Sequence, residues 1–353
     1  MTELAIDGNG DRRCIVIDDE RVSQVIGRLI YAYEQNEFPY NLDSTRTPQD
    51  HRHMPQTLEY GTKEHAMFLW TVCYYMRGGI KSNDAVMRLA KMYDMHPELF
   101  VAESAMICQK ADLRNLLSEY GLGLQETVSN AWVENAARLY ERYDGDPRKI
   151  FDGVTTYQQS LSRIKNDGKG GGFIGFREKM VSMIIYYLSD EGLIKEFEFP
   201  LPVDIHVLRV SIANELVKFE GYAEDENLLD EDLLITVRGL YLAYARQHNV
   251  SMLTISDAVW LLSQSTCGMH PGNVTLEPHG RGNRKGRQTH LIPAPVNADD
   301  ESQRELYART CALCPIEETC RWNVPGKIYY VQGKLIRRGE RLRYPPPSQG
   351  LLF

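Results

Sequence analysis

The sequence predicts a mostly α-helical fold with one small β-hairpin near its C-terminus. Apolar residues recur at helical spacing in nine separate segments. Only one stretch, KIYYVQGKLIRRG (327–339), sets two β-prone runs on either side of a Gln-Gly turn. The 353 residues suffice for one large domain or for two lobes with separate cores.

The first helix is expected at Val22–Tyr33, within an otherwise polar, Pro-bearing stretch of sixty residues. KEHAMFLWTVCYYM (63–76) is apolar nearly all round and reads as a central buried helix. NDAVMRLAKMYD (83–94) is amphipathic and is expected to start at an Asn cap. One helix over 103–123 should stop at glycine, followed by another over 125–143. Further helices are expected at 176–193, 204–217, 230–247 and 255–264. Residues 268–310 carry Gly, Pro, Asn and Arg without period and read as a long loop. No internal repeat is visible, and YPPPSQGLLF reads as an extended tail.

The composition excludes several classes. No apolar run is long enough to span a membrane. MTELAIDGNGDRR lacks the apolar core of a secretory signal, so the protein is expected in the cytoplasm, as a monomer. Seven cysteines in a chain of this length do not make a disulfide scaffold. Cys14, Cys73 and Cys108 stand apart and read as packing residues. The net charge of -8 is unevenly spread. Residues 1–20 and 221–233 are acidic, whereas HGRGNRKGR (279–287) carries Arg281, Arg284, Lys285 and Arg287 without an acid. A second basic stretch runs from Arg321 to Tyr344. Such a face on an acidic protein suits a polyanion, because neutralised phosphates release counterions.

Three motifs carry chemistry. In CALCPIEETCRW, Cys311, Cys314 and Cys320 form C-x2-C-x5-C, and Cys267 is the nearest upstream fourth ligand. Four thiolates suit zinc as well as an iron–sulfur cluster. In GGGFIGFREKM, Gly175 marks a tight turn before a helix whose N-terminal amides can hold a phosphate. In FPLPVDIHVLRV, two prolines force an extended approach to Asp204 at a helix start. That residue is an N-cap, and equally a carboxylate able to orient water or stabilise a cation.

In this order the three motifs resemble the helix-hairpin-helix DNA glycosylase superfamily, in its iron–sulfur branch with endonuclease III and the adenine-mismatch glycosylases. FIGFREKMV (173–181) places Gly175 on the first hairpin glycine and Lys179 on the catalytic lysine. VDIHVLRV (203–210) places Asp204 on the catalytic aspartate, and the last three cysteines keep the spacing without a gap. The chain departs where Arg177 replaces the second hairpin glycine and where a basic insertion separates Cys267 from Cys311. The N-terminal extension has no counterpart.

The resemblance implies a two-lobed helix-hairpin-helix glycosylase fold with a C-terminal four-cysteine 4Fe–4S cluster, zinc being the alternative. Its divisions would be an N-terminal extension (1–60) packing on the cluster lobe and a helical lobe (61–205) with the hairpin near 170–188. A cluster lobe (206–325) with the basic insertion 268–310, and a basic hairpin and tail (326–353), complete the chain. It further implies a DNA glycosylase that flips a modified base out of a duplex and cuts its glycosidic bond, with or without a lyase step. Asp204 would stabilise the sugar cation, and Lys179 would attack C1′. Gly175, Arg177, Arg281, Arg284, Lys285 and Arg287 would contact DNA. Trp70, Tyr74 and Tyr75 are either stacking platforms for the flipped base or core. Two other readings remain open: a glycosylase of RNA or free nucleosides, and a non-catalytic module that binds modified DNA.

Overall fold

The computed structural model describes residues 5–6, 12–76, 80–166, 171–222, 228–229, 231–267, 274–279, 288–293, 301–320, 328–331 and 334–337. The chain forms two units, Met1–Thr45 with Val203–Phe353, and Arg46–Pro202. The divisions fall at 45 and 202, where the sequence placed them at 60 and 205. The protein is mostly helical, with twelve α-helices among the described residues.

In the split unit, α1 (Asp19–Glu34) starts at Asp18, whose carboxylate accepts the Arg21 amide at 3.1 Å. It buries Val22, Val25, Ile26, Leu29 and Ile30, the helical stripe that its sequence shows. β1 (Ala5–Ile6), β2 (Arg12–Ile17) and β3 (Val217–Glu220) form an antiparallel sheet in the order β1-β2-β3, with Ile17 opposite Val217. This sheet shortens the helix expected over 204–217 to α9 (Ile205–Ala213). Val217 and Phe219 are buried, while Lys218 and Glu220 face water. α10 (Glu231–His248) and α11 (Met252–Ser265) complete the helical core of this unit.

The stretch read as a loop over 268–310 instead contains β4 (Val274–His279) paired with β5 (Gln288–Pro293), then α12 (Glu301–Arg309). The Gly, Pro and Arg content hid an antiparallel ladder, because strand pairing is a long-range property. β6 (Ile328–Val331) and β7 (Lys334–Arg337) form the expected hairpin, with Val331 opposite Lys334.

The Arg46–Pro202 unit is all helical among its described residues. α2 (Lys63–Cys73) is capped by Thr62 and buries every position from His65 to Cys73. α3 (Ser82–Met95) starts one residue before Asn83, so that asparagine is not its cap; the Asn83 amide donates to the Arg46 carbonyl at 3.4 Å. The single helix expected over 103–123 is two, α4 (Ala102–Ala105) and α5 (Lys110–Glu119). Apolar periodicity runs through the break and so does not register it. α5 ends as expected at a glycine: Gly121 has φ +67, and the Leu122 amide reaches back to the Leu117 carbonyl at 2.8 Å. α6 spans Gln125–Tyr143. α7 (Tyr157–Ile164), absent from the sequence reading, opens with a reciprocal Thr156–Gln159 capping box. α8 (Glu178–Asp190) buries a run from Met180 to Ser189. No helix among the described residues is long and apolar enough to cross a membrane.

Candidate functional site

The glycine turn joins α7 to α8. Its neck is closed by the Phe173 amide on the Ile164 carbonyl (2.9 Å) and the Asn166 amide on the Phe176 carbonyl (2.8 Å). A Cβ on Gly172 would overlap the Lys165 carbonyl, and Gly175 has φ 86, so both positions demand glycine. α6 grips this turn from one face. Asn135, fully buried, accepts the Ile174 amide at 2.7 Å and donates to the Ile174 carbonyl at 3.0 Å. Arg138 donates to the Gly172 carbonyl and Arg142 to the Gly171 carbonyl. Spacings of three and four put these residues on one helical stripe. The sequence reading missed all three; their polarity on an amphipathic helix is the only local signal.

Trp70, Tyr74 and Tyr75 are core and offer no surface to a base. Trp70 stacks on Phe176 at 4.3 Å and meets Phe173 edge-on at 4.8 Å, so it backs the turn. Its indole N–H donates to the Tyr74 hydroxyl, which also accepts from Asn135. Arg177 is exposed at the start of α8, and no side chain caps that end. Lys179 is half-buried; its ammonium donates to the Met76 carbonyl at 2.8 Å.

Asp204 belongs to the other unit and is both things its motif allowed. As the N-cap of α9, its Oδ1 accepts the amides of His206 (2.8 Å) and Val207 (3.1 Å). Its Oδ2 accepts the indole N–H of Trp260 on α11 at 3.2 Å, a bond that capping does not require. His206 lies beside it, 3.2 Å from the Ser263 hydroxyl and edge-on to Trp260. Each carboxylate oxygen has two lone pairs, so three donors leave capacity for one more partner.

The four predicted cysteines are neighbours. A turn carries the Cys314 amide to the Cys311 carbonyl at 3.1 Å. Burial pushes up both thiols, and the remaining sulfurs add to it: Cys267 and Cys320 act on Cys311, and all three partners act on Cys314. Among the described residues, no group of three or more His, Cys, Asp or Glu is arranged as a metal-ligand set. By donor chemistry alone, four soft thiols, Cys267 just after α11 and three half-exposed cysteines in the 311–320 segment, suit an iron–sulfur cluster or zinc. Arg281, Arg284, Lys285 and Arg287 lie outside the described residues.

A polar cluster that no motif marked occupies the end of α8 remote from Lys179. Gln49 donates to the Tyr186 hydroxyl (2.6 Å) and to Asp190 (2.7 Å). His65, 1% exposed, accepts the Gly61 amide at Nδ1, which leaves its proton on Nε2, 3.7 Å from Glu191 Oε2. Burial, then Asp190 and Asp50, push the Glu191 carboxyl up to about 7. Burial, then Arg148, pull the His65 imidazole down to about 4. Burial also raises Asp190.

No protein-family model matches the chain, and no curated protein matches it with significance.

Proposed function

We propose that the protein is a DNA glycosylase that acts on a modified base displaced from a duplex. The observation that carries this reading is Asp204, a carboxylate held at a helix start by three N–H donors that come from two helices. A cap needs Oδ1 alone. The indole bond to Oδ2 fixes the charge in one orientation, which is what a developing sugar cation requires of its stabiliser. As the glycosidic bond breaks, the base leaves with the bonding electrons, and the negative carboxylate offsets the positive charge left on the sugar ring. The same carboxylate can accept a proton from the attacking water. The turn at Gly172–Gly175 supports the reading from the other unit. It presents the uncapped start of α8, where backbone amides and the helix dipole favour a phosphate. Lys179, the second residue of that helix, is the candidate nucleophile for a lyase step. It must first release the Met76 carbonyl. Cys267, Cys311, Cys314 and Cys320 would hold a 4Fe–4S cluster with a structural role.

The test is a panel of duplexes, each bearing one modified base, read by cleavage at the abasic product. Wild type should release at least one base, and Asp204→Asn none. The variant keeps Oδ1 for the cap, so its melting temperature should fall only slightly. Equal turnover by wild type and variant would reduce Asp204 to a cap and sink the proposal.

A further inference from the structure

Among the described arginines of the Arg46–Pro202 unit, Arg46, Arg52, Arg114 and Arg148 are ion-paired. Arg88, Arg163, Arg138 and Arg142 donate to backbone carbonyls, and of these four Arg138 and Arg142 do so at the glycine turn. Arg148 pairs with Asp146 at 2.8 Å, and Arg114 with Glu126 at 2.9 Å. Arg138 and Arg142 instead each give an N–H to a glycine carbonyl of the turn, and a carbonyl neutralises no charge. Neither has a carboxylate at ion-pair distance among the described residues. Glu134, one turn before Arg138 on α6, is engaged by Lys110 at 2.7 Å. Glu141 is exposed, but lies about 100° round the helix from Arg142. Within the turn itself, Lys165 is paired with Glu178, so it contributes no surplus charge.

We propose that Arg138 and Arg142 on α6 form a phosphate-binding ledge beside the glycine turn and extend the nucleic-acid interface onto that helix. The inference rests on the reading of the turn as a DNA contact and adds residues that lie outside the motif. A guanidinium has five N–H donors in a fixed plane. The carbonyl uses one side of that plane and so fixes the rotamer before any ligand arrives. The remaining donors and the full positive charge are left for a phosphodiester. Little side-chain entropy is then lost on binding, unlike at a loose surface lysine. The glycines are part of the device, since any side chain at Gly172 would displace the carbonyl that Arg138 holds.

The experiment is equilibrium binding of the full-length protein to an unmodified duplex from 50 to 200 mM salt. Each phosphate contact contributes about 0.9 to the slope of log affinity against log salt. Arg138→Gln with Arg142→Gln should flatten the slope by about 1.8, so the affinity advantage at 50 mM over 200 mM shrinks about tenfold. Lysine at both positions should restore most of the slope. Should the double variant not fold, Arg142→Glu alone, at an exposed position, should flatten the slope. A dicarbonyl reagent should also modify Arg142 in free wild-type protein and not in the duplex complex. An unchanged slope in folded variants, or equal modification with and without duplex, overturns the ledge. Wild type that fails to bind duplex overturns both the ledge and the glycosylase reading. Binding with the expected slopes but no base released from any duplex overturns only the latter.

Discussion

Glu191 and His65 predict two opposite pH dependences of stability that cancel in the wild type. Glu191 titrates near 7 in the folded chain against an ordinary 4.5. That raised value means the folded state holds the extra proton between those limits, so its contribution is complete below 4.5 and lost as pH rises through about 7. His65 titrates near 4 against an ordinary 6.5. Its fold favours the neutral ring, so its contribution is complete above 6.5 and lost as pH falls through about 4. The rise from 4.5 to about 7 and the fall from 6.5 to about 4 are each worth about 3 kcal/mol. Neither figure needs a large discount for solvent, since Glu191 is 21% and His65 1% exposed. Between 4.5 and 6.5 folding transfers a proton from the imidazole to the carboxyl with no net uptake, so the pair leaves the stability curve flat. Glu191→Gln leaves the histidine alone, and stability should then rise by about 3 kcal/mol from pH 4 to 6.5. His65→Gln leaves the carboxyl alone, and stability should fall by about as much from pH 4.5 to 7. The assay is urea unfolding at a series of pH values, followed by tryptophan fluorescence, to which buried Trp70 and Trp132 contribute. Asp190, Asp50 and Arg148 remain in both variants, so differences from wild type isolate the pair. Slopes of the same sign in the two variants, or no slope in either, would refute the reasoning.

The remaining predictions concern the cysteines, Lys179 and Asn135. Protein purified without oxygen should be brown, with iron and acid-labile sulfide in about equal amounts; stoichiometric zinc without visible absorbance would replace the cluster by zinc. Replacing any of Cys267, Cys311, Cys314 or Cys320 by Ala should lose the metal, whereas Cys14→Ala should not. If Lys179 is the nucleophile, borohydride should trap a protein–DNA adduct through its side-chain nitrogen, and Lys179→Gln should lose adduct and strand nick together. An abasic product formed equally fast by wild type and Lys179→Gln, without nicking, leaves a monofunctional enzyme. Asn135→Leu should cost about 2–4 kcal/mol in urea unfolding, because it strips the buried Ile174 amide and carbonyl of their partners; a loss below 0.5 kcal/mol would show that the turn holds without it.

Local chemistry determined much of this protein from sequence alone. The apolar stripes of α1, α6, α10 and α11, the glycine stop at Gly121 and the Gln-Gly hairpin depend on residues a few positions apart. So do the cap at Asp204 and the turn that brings Cys314 back to Cys311. Near neighbours already bias the unfolded chain, and that bias can be read along it. Tertiary structure alone decided what depends on distant partners. Cys14 meets Glu220 across the β2–β3 ladder, and that pairing ended α9 before its apolar pattern did. Trp70 became the wall behind the glycine turn rather than a stacking surface, because Phe173 and Phe176 cover it. Asn135 reaches the turn from a separate helix, Trp260 reaches Asp204 from another, and His65 on α2 meets Glu191 at the end of α8, far along the chain. Side chains of this kind gain their meaning from burial and from partners far along the chain, neither of which a spacing of three, four or seven residues contains.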